Sequence, residues 1–387
     1  MSKKIIIIIS IVVIFLLGFY FYSNANPVFN KKINKSDTSL SLNKNTKEKD
    51  VIEKDVENVT TKKHISKPEN VKGIYMSSWV SGTTSMRNDL SQFVYDTELN
   101  SIIIDFKDST GIVSIPAGTN ASLDRINASS RRGGDLKSYI QELHNNDVYV
   151  IARIAVFQDS IYSKNHITGS VQDGYGNLWS DKHKLSWVDP SNTEFHKYIL
   201  DLSYEAYELG FDEINLDYIR FPTDGLNNPV YTLSKDKVKK DVITNFVKYM
   251  YENLNSKSIP LSIDVFGQIV SDNNDMGIGQ YYEDLLPYVD AILPMVYPSH
   301  FYPGYKNLKS PESSPYDTIN LSITDALNRR NAINMTTEIR PWIQDFSIEV
   351  NYDATMVQAQ INALKNLGIN SFMIWDPKNQ YTRQVFK

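Results

Sequence analysis

The sequence predicts an α/β protein whose main domain, residues 71–387, is a (β/α)8 TIM barrel. From residue 71 onward, short apolar segments alternate with amphipathic segments through eight rounds within about 317 residues. A doubly wound open sheet would usually contain fewer strands and a glycine-rich phosphate turn, and the sequence has no GxGxxG and no GxxxxGK motif. These two observations favour a closed barrel with enlarged loops.

Residues 1–22 are predicted to form a signal anchor, a transmembrane helix that precedes the barrel. Lys3 and Lys4 are followed by 18 residues without a charge, close to the roughly 20 residues that span a bilayer. A cleaved signal peptide usually has a shorter apolar core and a small-residue cleavage site, which residues 23–26 match poorly. The lysines before the span favour a single-pass cell-membrane protein with its C-terminal domain outside the cell, and secretion is the alternative.

Residues 23–70 are predicted to be a disordered linker. They are rich in Asn, Ser, Thr, Lys and Glu, contain one aromatic residue, Phe29, and show no helical period. The linker has ten Lys against seven Asp plus Glu, so with the two N-terminal lysines the chain total of −5 leaves −10 for residues 71–387. An acidic domain argues against nucleic acid as a partner. The chain has no cysteine, so disulfides and thiolate metal sites are excluded.

Within the barrel domain, apolar runs and capping signals place the secondary structure. The clearest helix has a cap and an acidic first turn within residues 189–194, carries an apolar stripe from Phe195 to Leu209 and ends at Gly210. The predicted strands are 71–77, 101–106, 148–155, 213–217, 260–266, 290–297, 338–342 and 371–375. The other predicted helices are 89–99, 135–144, 237–254, 281–288, 322–328 and 355–367.

The fourth strand carries an unusual face. Alternation puts Glu213, Asn215 and Asp217 on one side, and Ile214 and Leu216 on the other. The apolar side fits a surface that helices cover. Three polar groups that point into the middle of a protein need hydrogen-bonding partners or a function. A buried salt-bridge network and an active site are therefore both open interpretations of this strand.

Polar and aromatic side chains also close most of the other strands, where barrel enzymes place their chemistry. Alternation points Asp105, Asp217, Asp264, Arg340, Trp342 and Gln344 inward. Glycoside hydrolysis requires one carboxylic acid, one carboxylate and flat apolar rings against which sugars stack. Carboxyl groups that converge among aromatic residues are typical of this chemistry.

Other chemistries find little support. There is no HExxH motif and no GxSxG motif, and the six histidines are scattered singly. Asp105 and Asp108 could hold a divalent cation, but two carboxylates alone are weak support for a metal site. His300 has no second ligand at metal-binding spacing. We therefore expect neither a metal nor a cofactor.

Seven segments together resemble the putative glycosyl hydrolase domain family of bacterial envelope proteins, once catalogued as a domain of unknown function. They are residues 72–75, 104–108, 187–190, 210–222, 264–267, 294–300 and 340–346. The resemblance covers essentially residue 71 to the C-terminus. It implies a TIM barrel similar to those of the α-amylase and α-galactosidase clans, where the nucleophilic Asp closes the fourth strand, as Asp217 does here. The amylase-like pattern would place a general-acid Glu at the end of the fifth strand, where this chain has Asp264.

The sequence thus predicts a glycoside hydrolase that cleaves a cell-surface or cell-wall polysaccharide by a retaining mechanism, with Asp217 as nucleophile and Asp264 as acid/base. The alternative is a non-catalytic carbohydrate-binding barrel, since the fold does not decide between them. Expected partners are the glycan and, through the anchor, the membrane, but not nucleic acid. The predicted substrate-binding residues are Asp105, Lys107, Arg153, Tyr218, Arg220, Tyr297, His300, Arg340, Trp342, Gln344 and Trp375.

Overall fold

Parallel strands form the centre of the protein, as the sequence predicts. The computed structural model describes residues 63–225 and 227–386. The strands within them are β1 (Lys72–Met76), β2 (Ser101–Lys107), β3 (Tyr149–Ala155), β4 (Glu213–Asp217), β5 (Leu261–Phe266), β6 (Ala291–Met295), β7 (Glu338–Ile339), β8 (Trp342–Gln344) and β9 (Phe372–Trp375). They pair in the order β5-β4-β3-β2-β1-β9-β8-β6-β7, and the pairing of β5 with β6 closes the sheet into a barrel.

Segments β7 and β8 occupy a single strand position. Both are parallel to β6, with Glu338 opposite Ala291 and Trp342 opposite Met295. Pro341, which has no backbone N–H, lies between the two segments, and its carbonyl still accepts a hydrogen bond from Met373 N at 2.9 Å. The predicted strand 338–342 is therefore interrupted, and the nine segments make the eight strand positions of a (β/α)8 barrel.

Helices follow most of the strands. Those of the described residues are α1 (Ser78–Ser81), α2 (Thr84–Tyr95), α3 (Ala121–Arg125), α4 (Leu136–Asn145), α5 (Ser160–Asn165), α6 (Thr193–Leu209), α7 (Lys239–Asn255), α8 (Tyr282–Leu285), α9 (Pro315–Ala332) and α10 (Ala354–Asn366). The predicted helix 322–328 is shorter than α9, which runs from Pro315 to Ala332. Proline is tolerated at the first position of a helix, because the N–H that it lacks would have no partner within the helix there. The predicted helix 89–99 is displaced, since α2 begins five residues earlier, at Thr84.

Helix α6 positions β4, the strand with the polar face. The Asn192 side chain accepts hydrogen bonds from the N–H groups of Glu194 and Phe195, both at 3.1 Å, and so caps the first turn. Gly210 ends the helix with a φ of 119°, in the left-handed region that favours glycine. The chain then enters β4 at Glu213, as the sequence predicts.

The apolar residues form two cores that the barrel wall separates. Ile214 and Leu216 are fully buried in the outer core, between the strands and the helices. The inner core fills the barrel itself with Val71, Tyr75, Ile103, Tyr149, Ile151, Ala291, Leu293, Tyr297, Trp342 and Met373. Because each strand alternates between these cores, the inward polar residues of β4 must find partners inside the barrel.

An ionic network fills the lower end of the barrel, where the strands begin. Arg340 donates to Glu213 at 2.8 and 3.3 Å and to Glu338 at 3.2 Å. Tyr149 donates to Glu213 at 3.1 Å. Although burial opposes the shift, Arg340 and Lys67 lower the pKa of Glu338 to about 2. The salt-bridge interpretation of the β4 face therefore applies to its first polar residue, Glu213.

The predicted membrane anchor, residues 1–22, lies outside the described residues. Within 63–225 and 227–386 no helix has the length and apolarity needed to cross a bilayer. Residues 63–70 were assigned to the linker from their sequence, but they contact the barrel. Ile65 packs against the inner core, and its N–H donates to Asp212 at 2.9 Å. The last part of the predicted linker thus belongs to the folded domain.

Candidate active site

A cavity of about 400 Å³ opens at the C-terminal ends of the strands. It contains most of the residues that the sequence nominates. Asp217 and Asp264 line it, together with Arg153, Tyr218, Arg220, Tyr297, His300, Trp342 and Trp375. Parallel strands end on the same side of a barrel, which explains why residues so far apart in the chain meet here.

Arg153 of β3 joins three carboxyl groups at the floor of the cavity. Its Nη1 donates to Asp105 at 2.5 Å, its Nη2 forms an ion pair with Asp217, and its Nε lies 3.7 Å from Asp264 Oδ2. Strand register creates the arrangement, because Arg153 is paired with Asp105 on one side and with Asn215 on the other. Although burial opposes the shift, Asp217 and Asp105 raise the pKa of Arg153.

Asp217 closes β4 at a sharp change of backbone direction. One of its oxygens, Oδ1, accepts a hydrogen bond from Tyr218 N at 2.5 Å. Tyr218 has a φ of 54°, which is uncommon for a residue with a side chain and costs of order 1–3 kcal/mol. Backbone strain of this kind often marks functional sites. Here it lies directly beside the carboxylate that the sequence nominates as the nucleophile.

Asp264 of β5 has a different environment. Its Oδ1 accepts hydrogen bonds from Trp342 Nε1 at 2.7 Å and Asn215 Nδ2 at 3.0 Å, and only 1% of the residue is exposed. Burial first and the charge of Asp217 second raise the pKa of Asp264 to about 8. The group is therefore protonated at neutral pH. Because Oδ1 accepts two N–H groups, the proton belongs on Oδ2, the oxygen nearer Arg153.

Aromatic rings surround these carboxyl groups. Tyr75 and Trp375 stack with their centroids 4.0 Å apart, and Trp375 meets Trp342 edge to face at 5.6 Å. Phe266, at the end of β5, is 40% exposed and lines the cavity. Burial raises the pKa of Tyr297, so its hydroxyl stays protonated and available as a hydrogen-bond donor. The cavity thus offers flat apolar faces close to two carboxyl groups.

Two of the predicted substrate-binding residues, Asp105 and Arg340, lie below the cavity and do not line it. Asp105 accepts hydrogen bonds from Arg153 and, at 2.5 Å, from the Tyr75 hydroxyl, and it does not line the cavity. Arg340 belongs to the ionic network at the lower end of the barrel and is fully buried. Alternation predicts correctly that both face inward, but it gives no height along the barrel axis.

Lys107 is also outside the cavity, for a different reason. A register irregularity between Asp105 and Lys107 places Lys107 opposite Ile154, a residue of the outer core. Its Nζ donates to the Ala155 carbonyl at 2.5 Å and lies 3.0 Å from Asp159, and both charged side chains are fully buried. Such an irregularity turns the next side chain toward the other face. Lys107, which the sequence nominates as a substrate-binding residue, therefore points away from the cavity.

Gln344 supports the site without lining the cavity. Its Oε1 accepts a hydrogen bond from Ser299 N at 3.0 Å, and its Nε2 donates to the Phe346 carbonyl at 2.8 Å. Ser299 precedes His300, which does line the cavity, and burial lowers the pKa of His300. Gln344 therefore positions the loop that carries this imidazole, which stays neutral at neutral pH.

Sequence reasoning missed about half of the cavity lining. The residues it did not nominate are Gln158, Lys182, His183, Asp224, Phe266, Gly267, Gln268, Gln280, Met295 and Phe301. Phe266 and Gly267 directly follow Asp264 and Val265, so the strand-end rule could have found them. Lys182, His183 and Asp224 lie on long loops, where no periodic pattern indicates their direction. Within the part of the chain that the structure describes, no three His, Cys, Asp or Glu residues converge in a metal-binding arrangement.

A family model described as a putative glycosyl hydrolase domain, DUF4015, matches residues 73–381. No curated protein sequence matches the chain. Among solved structures, the glycoside hydrolase domain of PgaB (BpsB) from Bordetella bronchiseptica is similar, with a TM-score of 0.58 and 13% identity over 83% of this chain and 99% of that one. A class V chitinase from Pseudomonas fluorescens Pf-5 has a TM-score of 0.51 and 12% identity, and the similarity covers 82% of this chain and 98% of the chitinase. At these identities the similarity establishes the shared barrel fold.

Proposed function

Because the chain belongs to the putative glycosyl hydrolase domain family, we propose that it is a glycoside hydrolase that cleaves a cell-surface or cell-wall polysaccharide. One observation carries this proposal. Asp217 and Asp264 lie in one cavity and contact the same guanidinium, yet one forms an ion pair and the other has a pKa raised to about 8. Glycosidases need two carboxyl groups in such different states.

The retaining mechanism assigns a separate role to each group. The Asp217 carboxylate attacks the anomeric carbon while the proton on Asp264 Oδ2 passes to the glycosidic oxygen, so the leaving sugar departs and a glycosyl ester forms on Asp217. Asp264, now ionised, then accepts a proton from a water molecule whose oxygen attacks the anomeric carbon and releases Asp217. Esterification of Asp217 removes the negative charge that helped to raise the pKa of Asp264, which suits its second role as a base.

The remaining cavity residues support binding of the sugar. Phe266 and Trp375 offer ring faces on which apolar sugar faces stack. The Tyr297 hydroxyl and the neutral His300 ring offer hydrogen-bonding groups for sugar hydroxyls. This combination of rings and a few polar groups is typical of small-molecule sites.

A non-catalytic carbohydrate-binding barrel is the second candidate, and one observation favours it. Both Asp217 oxygens already have partners, because Oδ2 contacts Arg153 and Oδ1 accepts from Tyr218 N at 2.5 Å. A carboxylate held this way could serve only to order the floor of the cavity. The two candidates share the binding surface and differ in whether a glycosidic bond is broken.

Hydrolysis of a polysaccharide panel, with analysis of the products, separates the two candidates. We expect Asp264→Asn to lose far more activity on substrates with poor leaving groups than on activated aryl glycosides, because only the former need the proton. Asp241→Asn, an exposed Asp in the first turn of α7, is the control and should match the wild type. A wild-type protein that binds glycans but cleaves none would favour the binding barrel.

The covalent intermediate gives an independent test of the retaining mechanism. A 2-deoxy-2-fluoro glycosyl fluoride of the cleaved sugar should add one glycosyl unit to the intact protein mass, and peptide mapping should place it on Asp217. Proton NMR of the first product should show the anomeric configuration of the substrate. A first product with the opposite anomeric configuration would contradict direct attack by Asp217 and indicate an inverting mechanism that uses the same two carboxyl groups.

The cell-surface setting of the substrate rests on residues 5–22, which lie outside the described residues. Fractionation of the native protein with membranes would support an anchored enzyme whose barrel domain lies outside the cell. Recovery from the medium with an N-terminus beyond Tyr22 would support secretion instead.

A further inference from the structure

Arg220 presents an incompletely paired guanidinium to the cavity. It follows β4 by three residues and lines the cavity wall. Its one hydrogen bond in the described part of the chain runs from Nη1 to the Phe221 carbonyl at 3.2 Å. Within those residues no carboxylate lies within 4.0 Å of it, so four of its five N–H groups have no protein acceptor.

Two other arginines of the described residues, Arg340 and Arg329, have several acceptors each. Arg340 contacts Glu213 and Glu338, and Arg329 donates to Glu283 at 2.6 Å and to the carbonyls of residues 269 and 272 at 2.6 and 2.7 Å. The carboxylates raise the pKa of Arg340 although burial opposes the shift, whereas burial lowers the pKa of Arg220. The charges of Asp224, Asp217 and Asp181 oppose the shift at Arg220 but do not outweigh burial.

Aromatic rings fix the position of this guanidinium. It lies 4.8 Å from the ring centroid of Trp187 and 5.4 Å from that of Phe266. The Trp187 ring is held in turn, because its Nε1 donates to Asp181 at 3.0 Å and Asp181 also accepts from Gln158 at 2.6 Å. A planar cation held this way is preorganised for an anion that reaches it from the cavity.

A second cation lies on the same wall. Lys182 lines the cavity, is 60% exposed at its side chain and lies 3.6 Å from Asp224. Its backbone N–H donates to the Asp224 carbonyl at 2.9 Å, which joins the loop before α6 to the loop after β4. This wall thus carries Arg220 and Lys182 beside the Asp224 carboxylate, in a domain whose net charge is negative.

We propose that the substrate is an acidic glycan and that Arg220, with Lys182 beside it, binds an anionic substituent of the sugar. A planar guanidinium pairs with carboxylate and phosphate oxygens through two parallel N–H donors, which neutral sugar hydroxyls do not match. The proposal rests on the proposed function, because the same cavity must hold the glycan. A purely structural Arg220 would stack on Trp187 and leave acidic and neutral glycans equally bound.

Matched pairs of probes test this proposal. One arm uses oligosaccharides of galacturonate, mannuronate and glucuronate beside the same oligosaccharides after reduction of their carboxyl groups. The other arm uses 6-phosphorylated oligosaccharides before and after treatment with phosphatase. Calorimetric binding to the full chain should show at least one acidic probe bound about tenfold or more tightly than its neutral counterpart, with affinity that falls as salt rises. The arm in which the acidic probe binds more tightly identifies the anion as a carboxylate or a phosphate.

Arg220→Gln should abolish this preference by weakening the acidic probe about tenfold or more, while binding of the neutral probe changes less than about twofold. Arg220→Lys should keep part of the preference, because it retains the charge but loses the planar fork. Arg125→Gln, at an exposed position of α3, is the control and should behave as the wild type. Melting temperatures show whether each variant is folded, and the salt dependence of the wild type needs no variant.

Three results would overturn the proposal: no acidic probe binds, the wild type shows no preference, or Arg220→Gln weakens both members of a pair equally. Hydrolysis of neutral glycans alone, lost in Asp217→Asn, would leave the proposed hydrolase intact and remove only the acidic substrate. Binding of an acidic glycan that depends on Arg220, without any hydrolysis, would support the anion site and remove the proposed hydrolase.

Discussion

Two buried arginines organise the two ends of the barrel in different ways. Arg340, at the end where the strands begin, is fully buried and bonded to Glu213 and Glu338. Arg153, at the end where the strands finish, lines the cavity, and its Nε has no hydrogen-bond partner within the described residues. The Arg340 guanidinium is closed to solvent, whereas that of Arg153 borders the cavity.

Charge balance also differs between the two ends. At the lower end, Arg340 and Lys67 face two carboxylates, and the pKa of Glu338 falls to about 2. At the upper end, Arg153 has three carboxyl groups around it, and the pKa of Asp264 rises to about 8. Similar residue types thus give stability where cations and carboxylates are equal in number, and a proton donor where three carboxyl groups share one cation.

The largest effect that separates the two ends should come from Asp217→Asn. Asn keeps the size of Asp217 and one of its two acceptor oxygens but cannot attack the anomeric carbon, so kcat should fall at least about 10³-fold. Glu213→Gln, on the same face of β4 but at the lower end, should keep the wild-type kcat. Steady-state kinetics on a substrate that the wild type cleaves measures both. Full activity of Asp217→Asn would remove the nucleophile assignment.

Glu213→Gln should instead lower the free energy of unfolding, by about 3–5 kcal/mol. The variant leaves the buried Arg340 without its main counter-charge, and the Tyr149 hydroxyl loses a carboxylate acceptor. Urea unfolding followed by circular dichroism measures the change. Glu194→Gln removes the exposed ion pair with Lys197 and should leave stability unchanged. Equal stability of both variants would mean that the lower network contributes nothing to stability.

Leu216→Ala tests the apolar face of the same strand. Leu216 is fully buried in the outer core, and its truncation should cost about 2–5 kcal/mol through lost burial and a cavity. Folded protein should retain activity, because the residue points away from the cavity. Leu233→Ala, at a position that is 39% exposed, is the control. Wild-type stability of Leu216→Ala would show that the register of β4 is wrong.

The last test concerns pH. The folded protein holds the Asp264 proton up to about pH 8, whereas the unfolded chain releases it near pH 4, so the folded state binds more protons in between. Stability should therefore fall as pH rises through this window. Asp264→Asn should differ from the wild type by no more than about 1 kcal/mol at pH 5 and should lose less stability toward pH 8. A steeper decline in the variant would contradict the raised pKa.

The sequence predicts the barrel and both central carboxyl groups because they depend on a strand period of two and on where strands end. It places Asp217 and Asp264 in the cavity correctly. It does not distinguish Arg340 from Arg153, because alternation specifies a face and not a height. It also nominates Lys107 as a substrate-binding residue, whereas the register irregularity in β2 places this side chain opposite Ile154 and away from the cavity.

The loops were less predictable still. Lys182 and Asp224 reach the cavity because two separate loops are bonded to each other, and a tertiary contact of this kind has no periodic signal. Gly225 shows how close these loops are, since a Cβ there would lie 1.9 Å from the Trp179 ring. The sequence therefore nominates Arg220 of the proposed anion site but not Lys182 beside it.

The contact of Arg153 with both Asp217 and Asp264 has a consequence for the energetics of the proposed reaction. Before bond cleavage the negative charge resides on Asp217, and after formation of the glycosyl ester it resides on Asp264. The total charge at the cavity floor is the same in both states. Arg153 can therefore act as a stationary counter-ion for a charge that moves from one of its sides to the other, with little rearrangement of surrounding dipoles.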